Sequence, residues 1–476
     1  MIGAGVCKLH LPVQAEEMQY PLSSHQLGDA IAHQDGKAIT AGQFHRHALE
    51  LATKLQESPP EAKASYVINT CQDRYLFMVS FAATALAGKT TLMPSSFAPQ
   101  TIEQLRNAYP GLVCLHDGKD QAEGLPSLKI DALAFSGSGD EPAPLIDEKH
   151  VAAIVFTSGS TGEPTAHLKT WGRLCLNAAS EAERLGARGV AIVATVPPQH
   201  MFGFESSVLL ALHGGASIWH QKPFYPADIT EALAAVPRPR MLVTTPFHLA
   251  ALMESGLALP PCDMVLSATA PLALPLAQRA EEGFAAPLME IYGCTESGQV
   301  ASRRPVEGPA WRLLPGVQMS TTEEGTWVHG GHVEGRVLLS DHIENQDSNT
   351  FILIGRHADM VNIVGKRTSI AHLNAQLQSI PGVVDGCFLQ HNEQAGGNDQ
   401  NTNGSYVQRL AALVVAPSLT GDELLDELRK RVDPVFLPRP LLRVEALPRN
   451  ATGKLVRSDL LALYAAHRVP SSGSHS

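Results

Sequence analysis

The chain has 476 residues, 44% of them hydrophobic and 17% charged, enough apolar matter to bury a sizeable core. It holds no run of about eighteen apolar residues, and its start (MIGAGVCKLHLPVQAEE) has neither a basic n-region nor an apolar h-region, so the expected product is cytoplasmic, without a membrane span or secretory signal. A net charge of −11 disfavours nucleic acid as a partner, and seven scattered cysteines with no C-x-x-C pair disfavour a disulfide framework and exclude a cysteine-built zinc site.

In chain order, the first strand-like run is 65–69 (SYVIN), followed by a helical stretch over 75–87 with Gly88 as its stop. Strand-like runs recur at 152–156 (AAIVF), 190–196 (VAIVATV) and 241–244 (MLVT), with helical stretches at 230–236 and 246–253. Apolar strands alternating with helices predict an α/β fold with parallel sheets covered on both faces. From about Gly308 the sequence turns to short alternating strands with glycine turns (GTWVHGGHVEGRVLL), a β subdomain. A helix over 371–379 and strands at 386–389 and 410–415 follow. Between those strands, 392–405 (NEQAGGNDQNTNGS) reads as an exposed hairpin loop, and the last residues (PSSGSHS) as a disordered tail.

The segment richest in chemistry is VFTSGSTGEPTAHLK, residues 155–169. A strand enters Thr157-Ser158-Gly159-Ser160-Thr161-Gly162, where two glycines let the backbone turn tightly and four hydroxyls and the amides are offered to an anion. A triphosphate or pyrophosphate suits such a loop. A plain Ser/Thr/Gly turn is the competing reading, and a Walker A pattern cannot be threaded through it.

TSGSTGEP resembles the phosphate-loop signature of the adenylate-forming superfamily, which includes acyl- and aryl-CoA synthetases, peptide-synthetase adenylation domains and luciferases. Three further segments resemble that family's motifs in the same order: IYGCTES (291–297), GRHADMVNIVGKR (355–367) and PRNATGKLVR (448–457). The resemblance implies a large N-terminal domain over 1–355, made of two sheet-helix subdomains and the β subdomain. A hinge at 356–359, with Ala358 and Asp359, then leads to a small mobile α/β domain over 360–470. Residues 471–476 would be the tail.

The resemblance also distributes roles. Residues Thr157, Ser158, Gly159, Ser160, Thr161 and Gly162 would hold ATP phosphates, Tyr292 would stack on adenine, and Ala268, Thr269 and Ala270 would run beside it. Asp341 and Arg356 would meet the ribose, Thr295 the α-phosphate, and Glu296 a Mg2+ ion. Lys454, on a glycine-bearing loop, would bridge carboxylate and α-phosphate as negative charge converges. His200, in PPQHMFGFE, falls between the phosphate and acyl sites, with a structural histidine as the alternative. Phe202, Gly203, Phe247, Ser267 and Gly293, with Ser302 nearby, would line a compact acyl pocket. His329 and His332 (HGGH) read as a glycine turn, not a metal site, and Cys294 as a bystander within its motif.

Two departures stand out. The family's loop lysine is Thr165 here, so either Lys169 reaches back to the phosphates or this chain manages without that charge. The first Asp of the hinge pair is Ala358, which leaves backbone rotation intact. The implied activity is ATP-dependent activation of a small aromatic acid, such as a hydroxybenzoate, to acyl-AMP, then transfer to the phosphopantetheine of an acyl carrier protein. The AHLKTW variant resembles the xanthomonadin and aryl-polyene pigment branch. A CoA-dependent aryl or acyl ligase is the rival reading, and a non-catalytic nucleotide-binding protein a third. The carrier-protein reading leans on residues 429–457, where eight basic residues face only Asp433 and Glu445.

Overall fold

The computed structural model describes residues 18–57, 61–94, 96–119, 122–131, 140–158, 164–356, 360–363, 366–394, 406–449 and 455–468. Gly159, Ser160, Thr161 and Gly162 of the hydroxyl-rich loop, Ala358 and Asp359 of the hinge, Lys454, most of the polar hairpin loop and the C-terminal tail lie outside the described residues.

Two large sheets organise the chain. In the six-stranded sheet Pro164–Thr170 pairs antiparallel with Val151–Ser158, and Thr90–Met93, Tyr66–Asn69, Val113–His116 and Ser127–Lys129 continue it in parallel. The eleven-stranded sheet is parallel at its centre, through Ser217–Trp219, Ala191–Ala194, Arg240–Thr244, Met264–Ser267 and Leu288–Cys294. Central strands such as AIVA are apolar at every position because both faces are covered.

Strand alternation assigns those faces. Ile192, Ala194, Met241, Val243, Leu266 and Ile291 enter one core cluster, while their neighbours Ala191, Val193, Leu242, Val265 and Leu288 enter another. The first cluster also takes Val67, Val113, Ala153 and Val155 from the six-stranded sheet, so it is the layer between the two sheets. Helix Arg74–Leu86 lies in that layer and is buried at every position from Arg74 to Ala85, which explains why its sequence is apolar all round. Its Arg74 is fully buried and ties the layer together, donating to Ser207 Oγ at 2.8 Å and to the Ala194 and Val196 carbonyls at 2.9 and 2.7 Å.

The glycine-rich β region divides in two. Gln318–Thr322, Gly325–His329 and Arg336–Leu338 form a separate sheet, but Ala310–Leu313, Asp341–Asn345 and Thr350–Arg356 extend the eleven-stranded sheet. Alternation alone cannot say which edge a strand joins, so the sequence does not reveal this merger. Near the C-terminus, Asp385–Gln394, Tyr406–Val415 and Leu441–Arg443 make a three-stranded sheet. Helices Ile370–Gln378 and Gly421–Arg429 contribute to the core on one of its faces and Arg457–Arg468 to that on the other.

This region holds the basic stretch, part of which is paired. Arg429 pairs with Asp426, Lys430 and Arg431 with Glu427, and Arg449 forks onto Asp385 at 2.8 Å. Four of the eight basic groups are thus paired, with three carboxylates that precede them in sequence.

Burial leaves its mark on stability. His47 and His332 are pulled down to about 4 and His213 to about 3, in each case chiefly by desolvation, which penalises the charged ring. Unfolded, these rings return to an ordinary value of about 6.5, so between about pH 4 and 6.5 the unfolded chain binds more protons than the folded one. Stability therefore rises with pH through that window. Buried Glu181 and Glu205, whose carboxyls desolvation pushes up, run in the opposite sense above pH 4.5, but burial pulls down further histidines as well, among them His25, His33 and His45, so the imidazoles are the larger group. The melting temperature should be several degrees higher near pH 6.5 than near pH 4, a shift that differential scanning fluorimetry would read.

Candidate active site

The parallel strands of the large sheet end together at one edge, where open α/β sheets hold their ligands. Several of them deliver residues singled out in the sequence. After Ala191–Ala194 comes the turn to His200, which opens a short helix at Met201–Gly203. After Met264–Ser267 come Ala268, Thr269 and Ala270, and Leu288–Cys294 carries Tyr292 into Thr295 and Glu296.

The backbone here is under local constraint. Thr269 sits at φ +80°, a costly conformation for a β-branched residue that functional sites tend to retain. Its hydroxyl is buried with no hydrogen-bond partner among the described residues. The segment Phe204–Leu209 is a π-helix, an irregularity frequent at such sites. At Gly203 a Cβ would come 2.0 Å from the Pro197 carbonyl oxygen, and at Gly293 one would come 2.3 Å from that of Gly298. Gly293 lies where the strand pairing shifts register after Tyr292, so a side chain there would push the Thr295–Glu296 turn outward. Gly293→Ala should keep the fold and reduce turnover about a hundredfold, since displacements near 1 Å cost that much; circular dichroism and steady-state kinetics would show both.

Tyr292 and Asp341, 49 positions apart, meet directly: the phenol donates to Asp341 Oδ2 at 2.7 Å. Trp311 and Phe351 hold the ring at centroid distances of 5.7 and 5.8 Å. Arg356 is the strand partner of Asp341, so the two ribose candidates stand side by side in register. Removing the bond with Tyr292→Phe should weaken nucleotide binding severalfold while the ring still stacks, which calorimetry with AMP would register.

Glu296 is 36% exposed, and His167 Nε2 is 3.7 Å from its Oε1. Among the described residues no cluster of three or more His, Cys, Asp or Glu could hold a metal alone. One accessible carboxylate fits Mg2+, which keeps few protein ligands and takes the rest from phosphates and water.

Lys169 is tied to the Glu296 turn. Its ammonium is buried and donates to the Glu296 carbonyl oxygen at 2.8 Å. Along a strand, four residues span about 13 Å, so the backbone of Lys169 lies well away from position 165. Beside it lies Glu205, and beside Glu205 lies Glu181, both fully buried; desolvation pushes both carboxyls up, and Lys169 draws Glu205 back down. Asn177 donates to Glu205 Oε1 at 3.1 Å. The lysine is thus the cation of a buried cluster supporting the Glu296 turn. Lys169→Met should cost about 3–5 kcal/mol of stability by stranding those carboxyls, seen as an earlier denaturation midpoint.

Other expected residues separate. Ser267 pairs with Glu290 and Ser302 with Ile291, adjacent positions on opposite faces, so the two hydroxyls do not line one pocket. Phe202 is buried. Phe247 is half exposed at the start of helix Pro246–Glu254, edge-on to His248 at 5.4 Å. His332 Nε2 bonds the Gln299 carbonyl oxygen at 2.7 Å, and Gly330 and Gly331 both have positive φ, so HGGH is a turn. Cys294 contacts Ser297 at 3.1 Å, and burial pushes its thiol up to about 11, away from nucleophilic use. Sequence reasoning missed His167, whose Nε2 lies 3.0 Å from Thr157 Oγ1. The alternating polar residues Thr165, His167 and Lys169 in a strand were the available signal.

Known proteins share this architecture. Residues 23–337 match the model of a family described as AMP-binding enzyme. A 4-coumarate–CoA ligase of Halorhodospira halophila is 28% identical over 334 residues, covering 68% of this chain and 80% of that protein. A 2-succinylbenzoate–CoA ligase of Bacillus velezensis is 22% identical over 466 residues, 90% of this chain and 93% of its own. The O-succinylbenzoate coenzyme A synthetase of Bacillus subtilis, solved with ATP and magnesium ion, superposes with a TM-score of 0.76 at 19% identity, over 93% of this chain and 100% of that one.

Proposed function

Since the chain belongs to the AMP-binding enzyme family of the adenylate-forming superfamily, we propose that it activates an aromatic carboxylic acid with ATP and passes the acyl group to the thiol of coenzyme A. The observation that carries the reading is the Tyr292–Asp341 hydrogen bond at the same sheet edge as Thr295 and Glu296. It joins an aromatic platform for a base, an acceptor for ribose hydroxyls and a carboxylate for phosphate-bound metal.

In the proposed first step the acid's carboxylate attacks the α-phosphorus, and pyrophosphate leaves with the P–O bond electrons. Both reactants are anions, so the work of this chain is to hold them in line and offset their charge. Thr295 donates to the α-phosphate, Lys454 bridges the two reacting groups, and the loop from Thr157 cradles the departing phosphates. Bound Mg2+ supplies electrostatic neutralisation of the triphosphate, held on the protein side by Glu296. His200 stands between the nucleotide and the acid. In the second step the thiol attacks the acyl carbonyl and AMP departs, after residues beyond the hinge at Ala358 and Asp359 carry Lys454 away.

An aromatic acid is favoured by the relatives, whose names carry 4-coumarate and 2-succinylbenzoate, and by the small residues Ala268 and Ala270. Coenzyme A is favoured over a carrier protein by the same relatives, which are named as CoA ligases. Acid-dependent ATP–pyrophosphate exchange across benzoates and cinnamates, followed by acylation of CoA or of a phosphopantetheinylated carrier protein, tests the reading. Exchange with an aryl acid and a CoA thioester product is the expected outcome. Exchange with no acid would sink the activity, and acylation of the carrier alone would move the acceptor back to a protein.

A further inference from the structure

The strand Pro164–Thr170 leaves the phosphate-loop region with Thr165, His167 and Lys169 on one face and Ala166 and Leu168 on the other. Their partners Thr157, Val155 and Ala153 share the first face, and Val155 and Ala153 belong to the core layer between the sheets. That face is graded in depth: Thr165 is exposed, His167 intermediate and Lys169 buried. The deep position is taken up with the Glu296 carbonyl, and the shallow one is a threonine where the family carries lysine. Only the middle position presents a nitrogen to the space between Thr157 and Glu296.

We propose that His167 is a binding residue for the polyphosphate of ATP, donating an N–H to a phosphate oxygen and doing from the strand what the family's loop lysine does from position 165. Its Nε2 is held 3.0 Å from the Thr157 hydroxyl and 3.7 Å from a Glu296 carboxylate oxygen, between the last described residues before the phosphate loop and the carboxylate assigned to the metal. An imidazole is shorter and stiffer than a lysine. Two residues further along the same face, it reaches that space without a long flexible stem. The inference rests on the function proposed above and concerns only the phosphates beyond the α position, which AMP lacks.

The test is isothermal titration calorimetry of the full-length chain with ATP and, separately, with AMP, each in the presence of magnesium. His167→Ala should weaken ATP by about tenfold or more and leave AMP within about twofold. Adding Thr165→Lys to that variant should restore most of the ATP affinity, because it returns a donor to the same face. A histidine that merely props up Thr157 would not be replaced by a lysine at 165. Unchanged ATP affinity, an equal loss for ATP and AMP, or no rescue would each overturn the proposal. If His167→Ala does not fold, His167→Gln keeps a shorter amide donor and should show a smaller loss, again for ATP alone. Wild-type protein that binds neither nucleotide would overturn the function itself, a result distinct from normal wild-type binding with an unaffected variant.

Discussion

Lys454→Ala is expected to reduce acid-dependent ATP–pyrophosphate exchange by about a thousandfold or more while leaving the second half-reaction nearly intact. Loss of one neutral donor from a preorganised anion site costs about 10²–10³ in turnover, and the lysine adds a full charge where two anions are forced together. Transfer of a pre-formed acyl group has no such encounter, because the attacking thiol meets a carbonyl already activated by AMP. Supplying the variant with synthetic aryl-AMP and CoA should therefore give thioester at a rate within about tenfold of wild type. A surface lysine, the competing reading of this position, would leave both half-reactions untouched. Equal loss of both would point instead to a variant that no longer folds, which its melting curve would reveal.

The asymmetry of that prediction reflects what a sequence displays. Local chemistry is legible: TSGSTGEP, IYGCTES and ATGK each keep their donors and glycines within a few positions, so they stand out without a fold. The parallel architecture is legible as well, because a strand buried on both faces, such as AIVA, is apolar at every position. Pairings across long separations are not. Tyr292 and Asp341 gain their meaning from one hydrogen bond that no spacing announces. Arg449 reads as part of a basic patch until Asp385, 64 positions earlier, is placed beside it. The burial of Lys169 and its attraction to Glu205, from a different helix, are likewise invisible in the spacing. His167 was overlooked because a strand histidine is unremarkable until Glu296 is placed beside it.

That placement shapes the second large effect. Glu296→Gln is expected to lower adenylation by about 10²–10³ while leaving the fold unchanged. The substitution preserves size and one carbonyl oxygen, and the turn is held by its main chain, through the bond from Lys169 to the Glu296 carbonyl. What it removes is the negative charge that a hard divalent cation requires from its protein ligand. The loss should therefore depend on the metal: raising magnesium well above the wild-type requirement should recover part of the rate, and affinity for AMP without metal should stay within about twofold. Kinetics across a magnesium series, with calorimetry for AMP, separates this from a simple disturbance of the site. A variant equally impaired at every magnesium concentration, or one that loses AMP as well, would mean that Glu296 shapes the turn and does not hold the ion. The His167 variants offer the complementary control, since a donor to phosphate can be moved to position 165 and rescued there, whereas a metal carboxylate cannot.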